Sequence, residues 1–186
     1  MMSHYTASRY TTDELLFRTG NGRVPGPLCH WTIGTDGLIK CGATEYTNNA
    51  GYGDDWLLRE LSDFDVDKLG EIKPGPDDRF SLNRYVWACE TKAAGKKTQL
   101  QYRNEVALWA AVTIAEGWDA DADRDGNFVP LIGHKEFTTR KADPVENMAT
   151  MRADVAKLVA YWSGGINLPV VESLVSSSPG KKTWPA

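Results

Sequence analysis

Blocks of apolar and polar positions along the chain predict a mixture of helices and strands. Residues 99–116 form the longest block, and their broad apolar side at helical spacing predicts the strongest helix. The same spacing predicts a final helix over residues 145–161. Thr12 or Asp13 is suited to cap a short helix that runs through Phe17.

Short apolar runs separated by glycine, proline and asparagine predict strands. These runs are residues 1–7, 28–34, 38–43, 84–91 and 128–132. The second and third runs flank the turn T-D-G at 35–37, which is a good signal for a hairpin. The remaining segments predict loops at 20–27, 48–54 and 73–79, with a short helical turn at 56–61.

Together these elements predict an α/β domain with a mixed central β-sheet flanked by helices. The predicted domain covers residues 1–163, and the Gly-, Ser- and Pro-rich residues 164–186 are interpreted as a linker or C-terminal tail. A length of 186 residues and a hydrophobic content of 41% fit one domain with a sizeable core.

Charge and hydropathy narrow the class of protein. The net charge is −4 with both signs interspersed, which argues against a nucleic-acid binder because such proteins carry a basic stripe. No apolar run approaches the ~20 residues that span a bilayer, so we expect no membrane insertion. The first residues lack a basic stretch followed by an apolar one, so we expect no signal peptide.

The three cysteines, Cys29, Cys41 and Cys89, are widely spaced and include no C-x-x-C pair. This arrangement fits neither a disulfide framework nor a zinc ribbon. We therefore expect reduced, mostly buried thiols in a chain made in the cytoplasm.

Candidate metal ligands lie in the stretch I-G-H-K-E-F-T-T-R-K-A-D-P at 132–144. His134 at the end of a strand and Asp143 before a proline supply two donor types that zinc accepts. Taken alone, however, His134 is more readily an ordinary surface or capping histidine, and the Asp-Pro step a plain turn. Glu136 shares a face with His134 if the strand continues, and could bind the metal or orient a ligand. A third ligand must come from His4 or His30, and the pattern does not choose between them.

Two acidic features invite separate interpretations. Glu90 ends the apolar run Y-V-W-A-C-E, where burial at a cleft would suit it to proton transfer, and its neighbour Cys89 should face the other way. The ordinary interpretation of Glu90 is the first polar residue after a core strand. D-A-D-R-D-G at 121–126 begins like a calcium loop, but Ile132 occupies the position of the required glutamate, which favours a plain acidic turn.

Four segments in order, and one continuation, carry a resemblance to a known family. They are H-Y-T-A at 4–7, P-G-P-L-C-H-W-T-I-G-T-D-G at 25–37, V-W-A-C-E-T at 86–91, G-H-K-E-F-T-T-R-K-A-D-P at 133–144 and M-R-A-D-V-A-K-L at 151–158. Over about residues 3–162 the chain resembles zinc-dependent N-acetylmuramoyl-L-alanine amidases of the type 2 class, which share a fold with peptidoglycan recognition proteins. It is most similar in style to the amidase module of bacteriophage endolysins.

The resemblance implies a role for each matched residue. His4, His134 and Asp143 correspond to the ligands of a Zn²⁺ ion, which selects His4 as the third ligand. Glu90 corresponds to the general base. Lys141 corresponds to a cation near the developing oxyanion.

The resemblance leaves other residues with secondary roles. His30 becomes a wall or supporting residue, Glu136 a support for the metal ligands, and Arg140 a substrate or surface contact. Asn49 stands where many relatives have a histidine, so it can donate a hydrogen bond to substrate but cannot be a cation. Cys29 stands where some relatives have a tyrosine.

The function implied is hydrolysis of the amide between N-acetylmuramic acid and L-alanine in bacterial peptidoglycan, as a phage endolysin in host cell lysis. The expected enzyme is a monomer that waits in the host bacterial cytoplasm and then acts on the cell wall. The alternatives are a non-catalytic peptidoglycan-binding module and an anhydromuramyl-specific amidase that acts in recycling.

Overall fold

The structure is a computed structural model that describes residues 1–53, 80–118 and 129–164. Within these ranges the chain forms seven strands, three α-helices and one π-helical turn at Leu15–Thr19. The strands are β1 (Met2–Tyr5), β2 (Trp31–Ile33), β3 (Ile39–Cys41), β4 (Tyr52–Gly53), β5 (Phe80–Ser81), β6 (Ala88–Thr91) and β7 (Ile132–Gly133). The helices are α1 (Gln99–Ala115), α2 (His134–Phe137) and α3 (Met148–Trp162).

Five strands form one mixed sheet in the order β3-β2-β6-β1-β7. The strand β1 lies between β6 and β7 and pairs in parallel with both, while β2 pairs in parallel with β6. The strands β2 and β3 pair antiparallel around the predicted turn, so the hairpin is confirmed. The predicted α/β class with a mixed sheet is likewise confirmed, and β4 and β5 form a separate two-stranded ribbon.

Both long helices begin at side-chain caps. The hydroxyl of Thr98 accepts a hydrogen bond from the Gln101 backbone N–H, and the Gln101 side chain accepts one from the Thr98 N–H in return. This reciprocal pair satisfies two N–H groups that the first turn leaves without partners. The side chain of Asn147 accepts from the Thr150 N–H in the same way, which sets the start of α3.

The main core lies between the sheet and the two long helices, which pack against each other on one face of the sheet. Trp109 of α1 is fully buried at its centre. The buried apolar members of this core are Met1, Ile33, Cys89, Val106, Trp109, Ala110, Val112, Val129, Leu131, Met148, Met151, Val155, Ala156 and Val159. Because the helices occupy this face, the opposite face of the sheet is left for the loops that carry the candidate site.

Several predicted boundaries are wrong, each for a local reason. The run at 84–91 becomes a strand only from Ala88, because the Tyr85 N–H bonds to the Leu82 carbonyl in a turn that exposes the Tyr85 side chain. The run at 128–132 contributes only its last residue to β7, since the Leu131 N–H bonds back to Val129. The loop predicted at 48–54 contains the short strand β4.

The three predicted helices agree with the structure to different extents. The helix predicted at 99–116 is confirmed as α1. The final helix starts at Met148, three residues later than predicted, because Val145 is exposed and Asn147 forms the cap. The short helix predicted to run through Phe17 contains a π-helical turn at Leu15–Thr19, whose residue Leu16 is buried.

Some predictions fall outside the described residues. They are the helical turn at 56–61, the loop at 73–79, the acidic turn at 121–126 and nearly all of the tail at 164–186. Two of the three cysteines, Cys29 and Cys89, are buried as expected, whereas Cys41 is exposed, and all three are free thiols. Among the described helices, none combines the length and the apolar character needed to cross a membrane.

Gly133 allows β7 to approach the start of α3 closely. A Cβ atom at this position would lie 2.7 Å from Pro144 Cδ and 2.9 Å from Met148 Cγ. We expect Gly133→Ala to lower the free energy of unfolding by about 1–3 kcal/mol, because the added methyl overpacks a full site. Urea unfolding of both proteins measures this difference, and equal stability would contradict the close packing.

Candidate metal centre

The parallel register of β1 brings residues from distant parts of the chain to one place. His4 of β1 lies directly opposite Glu90 of β6, so the two side chains project from the same face of the sheet. Ser3 of β1 pairs with Gly133 of β7, and His134 follows at once. The two histidine rings meet edge to face with centroids 4.4 Å apart.

Asp143 reaches the two histidines because the chain folds back after α2. The Lys135 N–H donates a 2.6 Å hydrogen bond to the Asp143 carbonyl, and Pro144 behind it is buried. Asp143 Oδ2 then lies 3.2 Å from His4 Nδ1 and 3.5 Å from His134 Nδ1. One carboxylate oxygen is thus shared between two imidazole rings.

These three side chains fit a tetrahedral metal site. Each of His4, His134 and Asp143 offers one ligand atom within 4.8 Å of the others. Ligand atoms bound tetrahedrally at about 2.0–2.2 Å lie about 3.3–3.6 Å apart. The separations from Asp143 Oδ2 to the two histidine nitrogens, 3.2 and 3.5 Å, are close to that spacing.

A backbone carbonyl fixes which nitrogen of His134 faces the ligand set. His134 Nε2 lies 3.0 Å from the carbonyl oxygen of Ala50, and because a carbonyl only accepts, Nε2 carries the proton. In the neutral ring, Nδ1 therefore presents its lone pair toward Asp143. A cation between these two atoms, which lie 3.5 Å apart, would be attracted by both of them.

The carbonyl of Ala50 is itself held in place. Asn83 Oδ1 accepts hydrogen bonds from the N–H groups of Ala50 and Gly51, at 2.9 and 2.8 Å. The Asn83 amide also donates to Asn48 Oδ1 at 3.4 Å. This side chain therefore orients the ring of His134 through the loop that precedes β4, as partners of metal-bound histidines commonly do.

Burial disfavours positive charge on His4. Burial, and next the neighbouring His134, lower the pKa of His4 to about 4, although Asp143 opposes the shift. His4 is therefore neutral at pH 7 and suited to bind a metal. Its Nε2 is buried and has no hydrogen-bond partner among the described residues.

Asp143 stays ionised. Burial would raise the pKa of Asp143, but hydrogen bonds and charge interactions with His134 and His4 outweigh that effect and hold the pKa well below its usual range. The site thus combines two imidazoles, of which that of His4 is neutral at pH 7, with one carboxylate. Such a donor set can hold a divalent metal ion.

The pKa of Glu90 is shifted in the opposite direction to that of Asp143. Burial, and next the negative charge of Asp143, raise the pKa of Glu90 from 4.5 to about 8, while Lys141 and Lys97 oppose the rise. Its Oε2 atom is buried and has no hydrogen-bond partner within the described part of the chain. A carboxyl group with a pKa near neutrality can both take and give a proton.

A cleft of about 460 Å³ opens onto these residues. Glu90 and the three candidate ligands line it together with the half-buried Asn49 and the exposed Arg140 and Lys141. The guanidinium of Arg140 donates to the Tyr52 carbonyl at 2.6 Å, which ties the loop before Asp143 to β4 across the cleft. Lys141 and Arg140 place positive charge at the mouth.

Two of the sequence candidates lie away from this cleft, and the first is His30. It is buried in a second cavity of about 390 Å³, where its Nδ1 accepts from the Ala88 N–H at 3.0 Å. Burial lowers the pKa of His30 to about 4. It contacts the cleft wall only indirectly, since Thr47 Oγ1 lies 3.4 Å from His30 Nδ1 and accepts a bond from Asn49.

The second is Glu136, which does not share a face with His134 along a strand, because the chain turns into α2 at that point. Its carboxylate accepts from the Gly133 N–H at 2.8 Å and from both ends of the Arg152 guanidinium, at 3.0 and 3.1 Å. Glu136 therefore anchors α2 to α3. It supports His134 through the backbone, and it does not line the cleft.

Sequence reasoning did not single out Asn83, the Ala50 carbonyl or the buried Lys97. A backbone carbonyl carries no sequence signal, and Asn83 lies in an ordinary turn. Glu105 offered a detectable signal, because it is a charged residue four positions before Trp109 on the buried side of α1. A charge at such a position is rarely buried without a partner.

The chain was compared with protein-family models, curated proteins and solved structures. No family model matches it, and no curated protein or solved structure shows significant similarity. The site is therefore interpreted from its own geometry.

The pKa of Glu90 predicts how stability depends on pH in the metal-free protein. Glu90 in the unfolded chain ionises near pH 4.5, whereas the folded protein retains this proton up to about pH 8. The wild type should therefore lose stability relative to Glu90→Gln as the pH rises from about 5 to about 8, by roughly a few kcal/mol. Urea unfolding of both proteins across this range measures the difference, and parallel curves would contradict the shift.

Proposed function

We propose that this protein is a zinc-dependent N-acetylmuramoyl-L-alanine amidase. The observation that carries the proposal is the convergence of His4, His134 and Asp143 beside the half-buried Glu90 in one cleft. The cleft volume of about 460 Å³ lies within the range that small-molecule sites occupy. The resemblance of the segments around these residues to type 2 amidases supports the choice of reaction.

Zinc is the metal that the donors favour. Two imidazole nitrogens and one carboxylate oxygen hold zinc in hydrolytic sites and leave one position open. When bound, zinc supplies Lewis acidity and lowers the pKa of water toward ~7. The residues that would hold it are His4, His134 and Asp143.

Glu90 serves as general base and then as general acid. As a carboxylate it takes a proton from the attacking water, whose oxygen adds to the lactyl carbonyl carbon of muramic acid. When the bond between this carbon and the L-alanine nitrogen breaks, Glu90 returns the proton to the leaving amine. The buried setting that raises its pKa to about 8 suits the second step, because it makes the protonated form easy to reach near neutrality.

Lys141 and the cleft walls complete the site. Lys141 lines the cleft, and its positive charge opposes the rise in the pKa of Glu90. It stabilises the oxyanion that develops on the carbonyl oxygen. Asn49 and Arg140 line the same cleft and contact the glycan or the stem peptide.

The wider biological role follows from the resemblance to endolysin modules. We propose that residues 1–163 form the catalytic domain and that bacterial peptidoglycan is the partner it acts on. The protein would function as a monomer that is held in the host cytoplasm before lysis and then degrades the cell wall. The products are a glycan strand and a free stem peptide.

Replacement of Glu90 tests the mechanism. Glu90→Gln keeps the size of the side chain but cannot take a proton, so we expect release of soluble stem peptide from purified sacculi to fall at least ~100-fold. Zinc content should stay at one ion per chain. Glu14→Gln is the matched control, because Glu14 is exposed and does not line the cleft, and it should retain activity.

Mass spectrometry of the digested sacculi identifies the bond that is cut. Free amino-terminal L-alanine on the stem peptide is the expected product, and small anhydromuramyl fragments should be poorer substrates than intact sacculi. Full activity of Glu90→Gln would refute the mechanism. Binding to sacculi without any cleavage by the zinc-loaded protein would refute the enzyme.

Removal of the metal provides a second test. Dialysis against a chelator should abolish hydrolysis, and addition of zinc should restore it, because the histidines and Asp143 lack a catalytic function without the ion. His134→Ala should bind zinc far more weakly than the wild type by competition with a coloured chelator. Chelator-treated protein that hydrolyses sacculi at the original rate would contradict the role of zinc.

A further inference from the structure

A buried ion pair lies on the face of the sheet opposite the cleft. Lys97 Nζ lies 2.6 Å from Glu105 Oε2, and both side chains are fully buried, at 0% exposure. Ser3 points to this face because it precedes His4 in β1, and its hydroxyl accepts a 2.9 Å bond from Lys97. The pair therefore sits directly behind the candidate metal centre.

The carboxylate of Glu105 ties two strands to α1. It accepts hydrogen bonds from the Ser3 hydroxyl, from Thr91 Oγ1 at 2.8 Å and from Trp109 Nε1 at 3.3 Å. Ser3 is the neighbour of His4, and Thr91 is the neighbour of Glu90. One side chain thus fixes the backbone next to a candidate ligand and next to the candidate base.

Lys97 extends the same network to the other two ligands. Its backbone N–H donates to Glu146 Oε1 at 2.9 Å, and its Nζ lies 3.8 Å from Glu146 Oε2. The Glu146 carbonyl in turn accepts from Lys135 Nζ at 2.7 Å. Lys135 follows His134, and its backbone N–H holds the Asp143 carbonyl.

Stability alone does not account for such a cluster. Two charges taken out of water lose solvation that their attraction barely recovers, so apolar or neutral side chains of similar size would fold the domain about as well. A hydrogen-bonded cluster, however, fixes the directions of its side chains and strands more strictly than apolar packing does. Fixed side-chain directions matter most where the ligand atoms of a metal must be placed to within a fraction of an ångström.

We propose that the Lys97–Glu105 pair is a positioning device for the metal centre, which holds the four segments that carry His4, Glu90, His134 and Asp143 in register. The inference rests on the proposed function and adds residues that do not touch substrate or metal. Lys97 and Glu105 act through the backbone of their neighbours. Loss of the pair should therefore affect the geometry of the site more than the fold.

The test is the double substitution Lys97→Met and Glu105→Gln. It removes both charges of the pair, while Glu146 loses the cation 3.8 Å away but keeps its hydrogen bond from the Lys97 backbone N–H. The amide introduced by Glu105→Gln keeps hydrogen-bonding capacity toward the neighbouring hydroxyls and indole. We expect cooperative thermal unfolding to be retained while zinc binds about 10- to 100-fold more weakly, the usual cost of losing an outer partner of a metal site. The visible spectrum of the cobalt-loaded protein should change, since it reports ligand geometry.

A matched control removes a different lysine–carboxylate pair. Lys157 and Asp154 lie 3.4 Å apart on α3, away from the cleft, and Lys157→Met with Asp154→Asn makes the same chemical change there. This control should keep the zinc affinity and the cobalt spectrum of the wild type. A folded Lys97/Glu105 double variant with wild-type affinity and spectrum would overturn the proposal.

A measurement on metal-free protein separates this inference from the proposed function. Imidazole ¹H–¹⁵N spectra should show one fixed tautomer for each of His4 and His134 in the wild type, and averaged signals in the double variant. A wild type that binds no zinc would refute the amidase, whereas unchanged imidazole spectra in the variant would refute the positioning role. If the double variant does not fold, Ser3→Ala removes the hydroxyl that links both members of the pair to β1, and the same readouts apply with a smaller loss.

Discussion

The parallel pairing of β1 between β6 and β7 is the constraint on which the rest of the structure depends. It joins the first residues of the chain to a strand near residue 90 and to another near residue 132. Because parallel strands end at the same edge, the chain gathers there the side chains that precede and follow each strand end. The histidines, the glutamate and the loop that bears Asp143 meet for this reason.

Because successive side chains along these strands point to opposite faces, the two faces of the sheet have different roles. On one face Ser3, Cys89 and Thr91 point toward α1, into a core that also holds the Lys97–Glu105 pair. On the other face His4 and Glu90 point into the cleft. A shift of one residue in register would exchange the faces and destroy both, so core packing and site geometry enforce the same register.

Burial also sets the chemistry of the cleft. The low dielectric keeps His4 neutral and raises the pKa of Glu90, while Asp143 remains ionised because two imidazoles face it. Three titratable groups thus acquire distinct protonation states at pH 7. These states follow from position in the fold, since the same residues in an unfolded chain would titrate near their usual values.

Local pattern predicted the parts of the fold that local interactions determine. The apolar spacing of α1 and the turn between β2 and β3 depend on residues that are close together in the sequence, so both were predicted correctly. The strand β7 has only two residues, and its pairing with β1 is a contact across about 130 positions that no window reveals. The end of that strand was equally hidden, because α2 is one helical turn held by the Glu136–Arg152 pair.

The residues alone were thus enough to establish the α/β class, the main helices and the chemical types available for a site: scarce histidines, an Asp-Pro step and a glutamate after an apolar run. The choice between His4 and His30 on geometric grounds required the folded chain, since β1 and not β2 lies beside β7. The folded chain was also needed to show that Glu136 points toward Arg152, and that Lys97 and Glu105 are buried behind the cleft. These choices depend on strand order and side-chain direction, which arise from contacts between residues far apart in the chain.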